Sequence, residues 1–186
     1  MNKYTRGVFI SVCVFFALSL SAGAADYTID PAHSFVEFRI QHLGYSWLYG
    51  RFNDIKGDFI YDEAKTAKSS FSVEIGTASI DSNHAERDKH LRSSDFLDVD
   101  KFPKAAFKSK SFDGVKLVGD LTLHGVTKEI VIDVKKVGEG KDPWGGYRAG
   151  FIGTTKIDRN DFGIGYNLGP SSKVMDFELG IEGIRK

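Results

Sequence analysis

Segments in which apolar and polar residues alternate recur along this chain from residue 35 to its end. In the first of them, Val36, Phe38 and Ile40 are separated by the charged residues Glu37 and Arg39. A period of two places all the apolar side chains of a strand on one face, so the pattern predicts strands with one buried face. About eight strands are predicted, at residues 36–40, 55–61, 71–75, 105–107, 117–123, 130–134, 149–153 and 175–181.

Two of the connections between these segments have the composition of tight turns. Asp113-Gly114 and His124-Gly125 are residue pairs that tolerate positive φ, as two-residue hairpin loops require. Consecutive strands are therefore expected to be antiparallel. A closed up-and-down barrel would leave no strand edge exposed. The residues alone favour such a barrel and a two-sheet sandwich about equally.

One polar stretch interrupts the alternation and has the composition of a helix. Residues 81–83, Asp-Ser-Asn, are good N-cap residues, and Glu86 places an acid in the first turn. Pro103 ends any helix, so a short helical segment is predicted near residues 83–97. The side chains expected to face the barrel are Ala85, Leu91, Phe96 and Leu97. Those expected in solvent are Arg87, Asp88 and Lys89.

Three sequence motifs occur in a characteristic order. They are IQHLGYSWLYG at 40–50, DSNHAERDKHLRSSDFL from residue 81 followed by KFPKAAF to residue 107, and GDLTLHGVTK at 119–128. Together they make the chain resemble the YceI-like family of periplasmic, lipocalin-like polyisoprenoid-binding proteins. The resemblance implies an all-β fold, an eight-stranded antiparallel lipocalin-like barrel, and so favours the barrel over the sandwich.

The N-terminus has the pattern of a secretory signal peptide. Lys3 and Arg6 precede the apolar run 8–20, and Ala-Gly-Ala at 22–24 supplies a cleavage pattern of small residues. We expect cleavage after residue 24, a single domain at 25–186 and a periplasmic location. The alternative is a membrane anchor, but the run is shorter than the roughly 20 residues that span a bilayer.

Charge and cysteine content exclude several classes of function. Cys13 is the single cysteine and lies in the signal segment, so the mature chain would have neither disulfides nor a cysteine nucleophile. The 25 basic and 25 acidic residues balance, and loss of Lys3 and Arg6 leaves a charge of about −2. Nucleic-acid binding would require a strong basic excess, so no nucleic-acid partner is expected.

The inward positions of the predicted barrel combine large apolar side chains with small ones. Gly57, Gly119, Gly153 and Ala105 are the small ones, and they are expected to leave space for one ligand. The aromatic residues at 45–49 are predicted to gate the barrel or, alternatively, to dock a partner. The candidate ligand-binding residues are Phe38, Phe59, Phe71, Phe107, Leu121, Phe151 and Phe177 in the barrel, Leu91 and Phe96 in the helical segment, and Tyr45 and Trp47 at the gate.

An apolar lining suits an apolar ligand. The family resemblance implies a polyisoprenoid of the prenyl quinone or polyprenyl phosphate type, held for sequestration or transport. No enzymatic activity, cofactor or metal is expected, no membrane anchor remains after signal cleavage, and a homodimer is possible. The candidates for contacting an anionic head group are Arg39, Arg51, Arg87, Arg92 and Lys89, with solvated surface charge as the alternative.

Two other functions remain as alternatives. His84, Glu86, Asp88 and His90 are titratable residues close together in one helical segment, which would suit an acid-base or metal-assisted enzyme. On a helix, however, His84 pairs with Asp88 and Glu86 with His90 on different sides, so three metal ligands do not share one face. The second alternative is a docking partner of a membrane redox system, which would use the aromatic patch at 45–49.

Overall fold

The structure is a computed structural model that describes residues 23–186. Most of the expected signal segment 1–24, including Cys13, lies outside the described residues. None of the helices among residues 23–186 is both long and apolar enough to cross a bilayer.

The described chain is mostly β-structure. It has one α-helix within residues 23–186, α1 (Ala85–Arg92). The strands are β1 (Ala25–Ile29), β2 (Phe35–His42), β3 (Ser46–Phe52), β4 (Ile55–Tyr61), β5 (Ser70–Gly76), β6 (Ile80–Asp81), β7 (Lys104–Phe112), β8 (Lys116–Leu123), β9 (Val126–Lys141), β10 (Tyr147–Asp158) and β11 (Val174–Arg185).

These eleven segments form a closed antiparallel barrel with eight strand positions. Three positions are each built from two consecutive segments, β1 with β2, β3 with β4, and β5 with β6. The barrel closes at β11, whose first half pairs with β2 and whose last residues pair with β1. Every neighbouring pair is antiparallel. The prediction of an eight-stranded antiparallel barrel with a short helix is therefore confirmed.

Three strands were missed in the sequence: β6, which has only two residues, and β1 and β3, each for a different reason. β1 alternates regularly, with Ala25, Tyr27 and Ile29 buried, but it is short and directly follows the expected cleavage site. β3 was missed because its largest aromatic side chains lie on the solvent-facing side. Trp47 and Tyr49 are exposed, whereas the smaller alternate positions are partly buried. β3 therefore has apolar side chains on both faces, Leu48 and Phe52 inside and the larger Trp47 and Tyr49 outside, so no single buried face is apparent in its sequence.

The hairpin connections follow from the turn residues. His124 and Gly125 both have positive φ, at 50° and 75°, so the predicted tight turn between β8 and β9 is confirmed. Leu43 and Gly44 form a similar turn between β2 and β3, with φ of 54° and 81°. A leucine rarely adopts this conformation, so the backbone at Leu43 is strained.

The barrel has two different ends. One end, called the mouth end below, carries the β2–β3 and β8–β9 hairpins, α1 and the segment 159–173 between β10 and β11. The other end is filled by an aromatic cluster. Phe59 stacks on Tyr27 and Phe71 with ring centroids 4.7 and 5.4 Å apart, and Phe151 meets Phe59 and Tyr61 edge to face. Aromatic contacts of this kind add to the stabilisation from burial, and they close that end.

Several glycines on the strands make room for an aromatic ring on the neighbouring strand. A Cβ at Gly50 would lie 2.4 Å from Cζ of Phe38, and one at Gly119 would lie 2.5 Å from Cζ of Phe107. Gly119 was predicted to leave space for a ligand. The structure corrects this, because the ring of Phe107 already covers it.

On the outside of the barrel, a network of ion pairs connects β10 with β11 and with the residue that follows β1. Arg148 of β10 donates to Asp30, Glu182 and Asp142 over 2.7, 2.6 and 2.9 Å. The hydrogen bond from Arg148 to Asp30, followed by the one with His33, holds the pKa of Asp30 at about 2, below its ordinary value of 3.8. Asp30, His33 and Glu182 are close enough to share a cation. The Arg148 guanidinium already neutralises Asp30 and Glu182, so we interpret the cluster as an ion-pair network and not as a cation site.

Candidate functional site

The inner faces of the strands surround a cavity of about 800 Å³ that extends to the mouth end. This volume lies within the range of pockets that hold small ligands. Most of the lining side chains are aliphatic or aromatic. Among residues 23–186, no aspartate or glutamate lines the cavity. The site is therefore suited to an apolar molecule and carries no negative charge.

Eight of the eleven predicted site residues contribute to this lining, and two of the four predicted small positions do as well. They are Ala105 and Gly153, but a Cβ at Gly153 would lie 2.9 Å from Cγ2 of Ile132, so the side chain of Ile132 already occupies the space beside this glycine. The eight are Phe38, Phe71, Leu91, Phe96, Phe107, Leu121, Phe151 and Phe177.

The other three predicted site residues do not line the cavity. Phe59 lies below the floor, because its ring is stacked between Tyr27 and Phe71 in the aromatic cluster. Tyr45 lies in the hairpin turn and is 88% exposed. Trp47 is on the outer face of β3, where the guanidinium of Arg39 lies 4.5 Å from its ring centroid. This corrects the prediction that they gate the barrel, because Tyr45 lies in the turn before β3 and Trp47 on the outer face of β3, and neither side chain reaches the cavity.

Helix α1 is positioned at the mouth by a buried carboxylate. The N–H and hydroxyl of Ser82 both donate to Asp88, which is 7% exposed. Arg87 donates from Nε to the Ser82 hydroxyl over 2.7 Å and lines the cavity. Asp88 and Arg87 were both expected in solvent. The structure corrects both predictions, because Asp88 is buried and Arg87 faces the cavity. Ala85 is also corrected, since it is exposed and does not face the barrel.

The titratable residues considered for catalysis have separate structural contacts. His84 is the N-cap of α1, and its Nδ1 accepts from the Arg87 N–H over 3.2 Å. This corrects the predicted cap at 81–83. His90 Nε2 lies 2.8 Å from Asp95, and its ring packs edge-on against Phe96 and Tyr166. The four predicted residues therefore do not form one cluster, since Asp88 binds Ser82 on the buried side.

The segment between β10 and β11 completes the mouth. Ser172 donates from its hydroxyl to the carbonyl of Gln41 over 2.6 Å, which joins this segment to the β2–β3 hairpin. Arg159 is 4% exposed and lines the cavity. Its Nε donates to the carbonyl of Ser172 over 2.8 Å, and its Nη1 donates to the carbonyl of Ile164. Burial lowers the pKa of this guanidinium, while Asp158 acts in the opposite direction.

Arg159 was missed in the sequence. It stands within Asp-Arg-Asn-Asp at 158–161, which has the composition of a solvent-exposed turn. The sequence feature that could have indicated an inward orientation is the pair of apolar residues that flank these four, Ile157 and Phe162. Both are buried in the structure. A charged residue in a short loop between two buried positions is a candidate for an inward orientation.

Comparison with known proteins assigns the barrel to a family. A family model described as YceI-like domain matches residues 27–182. The chain belongs to the YceI-like domain family. Its YceI-like relatives include a UPF0312 protein of Serratia proteamaculans, 54% identical over 178 residues, which cover 91% of this chain and 93% of that protein. A UPF0312 protein of Azotobacter vinelandii is 55% identical over 172 residues, which cover 89% and 90%.

Solved structures share the YceI-like fold. The Campylobacter jejuni YCEI protein has a TM-score of 0.69 and 26% identity, covering 95% of this chain and 99% of that one. Burkholderia cenocepacia BcnA has a TM-score of 0.74 and 21% identity, with coverage of 83% and 98%. A polyisoprenoid binding domain from Saccharophagus degradans has a TM-score of 0.65 and 14% identity, with coverage of 86% and 98%.

Proposed function

We propose that this YceI-like protein binds a polyisoprenoid lipid, of the prenyl quinone or polyprenyl phosphate type, in the barrel cavity. The lipid is sequestered or transported in the periplasm, and no covalent chemistry is involved. The observation that carries the proposal is the apolar cavity of about 800 Å³, which is closed at one end by the aromatic cluster and reaches the surface at the other. The polyisoprenoid binding domain with the same fold supports this ligand class.

The lining provides enough binding energy for such a tail. Each buried methylene contributes about 0.8 kcal/mol, so about ten carbons, or roughly two isoprene units, contribute about 8 kcal/mol. This is close to the free energy of a micromolar complex before association costs are subtracted. A tail that fills more of the cavity leaves a surplus, so affinity should rise with tail length until the cavity is full.

Native mass spectrometry of the protein purified from the periplasm tests the proposal. We expect a stoichiometric adduct that denaturation releases and that has the mass of a prenyl lipid. The stripped protein should then take up added prenyl quinones or polyprenyl phosphates. A bare polypeptide mass that stays unchanged after incubation with both lipid classes would contradict the proposal.

The periplasmic location is part of the proposal and is tested separately. We expect fractionation to recover the protein with periplasmic markers, and its mass to correspond to a chain that begins at Ala25. A full-length chain recovered in the cytoplasmic fraction would contradict export and cleavage after residue 24.

A second candidate function is docking to a membrane redox partner through the aromatic patch formed by Tyr45, Trp47 and Tyr49. All three side chains are on the outside of the barrel, with exposures of 88, 42 and 62%. This placement favours a contact surface over a gate. Replacement of Trp47 by alanine should then abolish co-purification of a membrane partner while lipid content stays unchanged. If no partner is lost, docking through this patch is refuted.

A further inference from the structure

Within residues 23–186, the charged side chains that line the cavity have one sign of charge. Its lining includes two arginines, Arg87 and Arg159, and two histidines, His42 and His90. No carboxylate among residues 23–186 lines the cavity beside them. Charged groups in an apolar surrounding are costly unless they are paired. An anion bound in the cavity would therefore meet only positive or neutral groups.

Arg159 is the most deeply buried of these groups. It is 4% exposed, and within residues 23–186 no carboxylate forms an ion pair with it. The adjacent Asp158 uses its carboxylate to accept from the N–H and side-chain amide of Asn160. A guanidinium has five N–H donors. Only Nε and Nη1 of Arg159 donate to carbonyls of the described chain, which leaves Nη2 for another acceptor.

We propose that Arg159 binds the anionic head group of the polyisoprenoid, a phosphate at the end of the chain, while the tail fills the apolar cavity. Arg87 contributes a second positive charge to the same cavity. This inference rests on the proposed function and specifies its ligand, because a polyprenyl phosphate would neutralise Arg159 and a neutral prenyl alcohol would not. A hydrogen-bonded anion–guanidinium pair shielded from water is stronger than a neutral hydrogen bond.

A pair of ligands with the same tail tests the proposal on the wild-type protein. Geranylgeranyl phosphate and geranylgeraniol differ only in the head group, and both are titrated below their aggregation concentrations. We expect the phosphate to bind about ten- to a hundredfold more tightly, as hydrogen bonds to charged groups in a protein would give. Equal affinities would overturn the head-group proposal and leave the proposed function intact. Binding of neither ligand would refute the proposed function itself.

Two arginine variants assign the effect to a residue. Arg159→Met should lose the preference for the phosphate while its affinity for geranylgeraniol stays within about threefold of wild type. Arg51→Met is the matched control, because the structure corrects the prediction that Arg51 contacts the head group: it is exposed on β3 and does not line the cavity. It should keep the full preference. A preference that survives in Arg159→Met would overturn the assignment to Arg159.

Two measurements on the wild-type protein remain decisive if Arg159→Met does not fold. ³¹P NMR follows the second ionisation of bound geranylgeranyl phosphate, whose pKa is about 6 in water. A neighbouring guanidinium should lower the pKa of the bound phosphate, and an unchanged pKa would overturn the proposal. Inorganic phosphate distinguishes a lipid head group from a free anion. It should bind at least a hundredfold more weakly than geranylgeranyl phosphate, and equal affinity would overturn the lipid assignment.

Discussion

A larger side chain on the wall of the cavity should weaken lipid binding without unfolding the barrel. Ala105 on β7 is 6% exposed, and its side chain is part of the cavity lining. In Ala105→Phe, an aromatic ring would project into the space that the tail is proposed to occupy. The next residue, Ala106, is exposed on the outer face of the same strand. Ala106→Phe is therefore a matched control with the same change in composition.

The size of the effect follows from the carbons that the ring displaces. The substitution adds about six ring carbons, which take the place of about one isoprene unit. At about 0.8 kcal/mol per buried carbon, the gross loss is about 4 kcal/mol. The tail regains part of this by shifting towards the mouth, so we expect a net loss of about 1.5–3 kcal/mol, or about ten- to a hundredfold in Kd. Because the ring fills existing space, the ligand-free protein should keep its stability or gain up to about 1 kcal/mol.

Isothermal titration with geranylgeranyl phosphate and urea unfolding of the ligand-free protein measure the two quantities. Ala105→Phe should bind weakly and unfold at the wild-type urea concentration or above. Ala106→Phe should bind like wild type. Wild-type affinity in Ala105→Phe would refute the assignment of the tail to this cavity. A large loss of stability would show that the wall cannot accept the ring, and the space would then not be open at Ala105.

Two further predictions concern the stability of the barrel. Gly50→Ala should lower the free energy of unfolding measured in urea by about 1–3 kcal/mol, because its Cβ would meet the buried ring of Phe38. Gly138→Ala is the control and should leave this free energy unchanged, because no atom lies within 4 Å of its Cβ. Equal free energies of unfolding for the two variants would contradict this packing. The pKa of Asp30 is about 2 in the folded protein and 3.8 in the unfolded chain. After allowance for solvent screening, this difference stabilises the fold by roughly 1 kcal/mol. The stabilisation is present above pH 3.8 and is lost as the pH falls through 2. Asp30→Asn should lack this acid-dependent loss, since the Arg148 contact no longer titrates, and an unchanged profile would refute the assignment.

The fold was largely predictable because most strands bury their larger apolar residues. Phe38, Phe71 and Phe151 follow the period of two, and each lies on the inner face of the barrel. The placement of Phe59 was not predictable, because the same alternation applies to a ring that lines a cavity and to one that fills its closed end. Distance along the barrel axis depends on strand register, which local sequence does not specify.

The mouth was harder to predict than the barrel wall. Its side chains are set by contacts between segments that are distant in the chain, such as Ser172 with Gln41. The inward orientation of Arg87 depends on Ser82, and that contact turns one polar side of α1 towards the barrel. A helical periodicity based on apolar residues alone assigned that side to solvent. Buried polar contacts of this kind have no regular spacing in a sequence.

The closed end of the barrel determines how a carried molecule is exchanged. Within residues 23–186, rings such as Phe59 and Phe71 fill the end opposite the mouth, so the proposed lipid would enter and leave through the same opening. A new occupant can enter only after the previous one has left. Under the proposed function, the protein would therefore hold one lipid in a cavity with a single opening and would not form a channel through the barrel. If the lipid is transported as proposed, the direction of net transfer would be set by the relative affinities of donor and acceptor for the lipid, because a single opening favours neither direction.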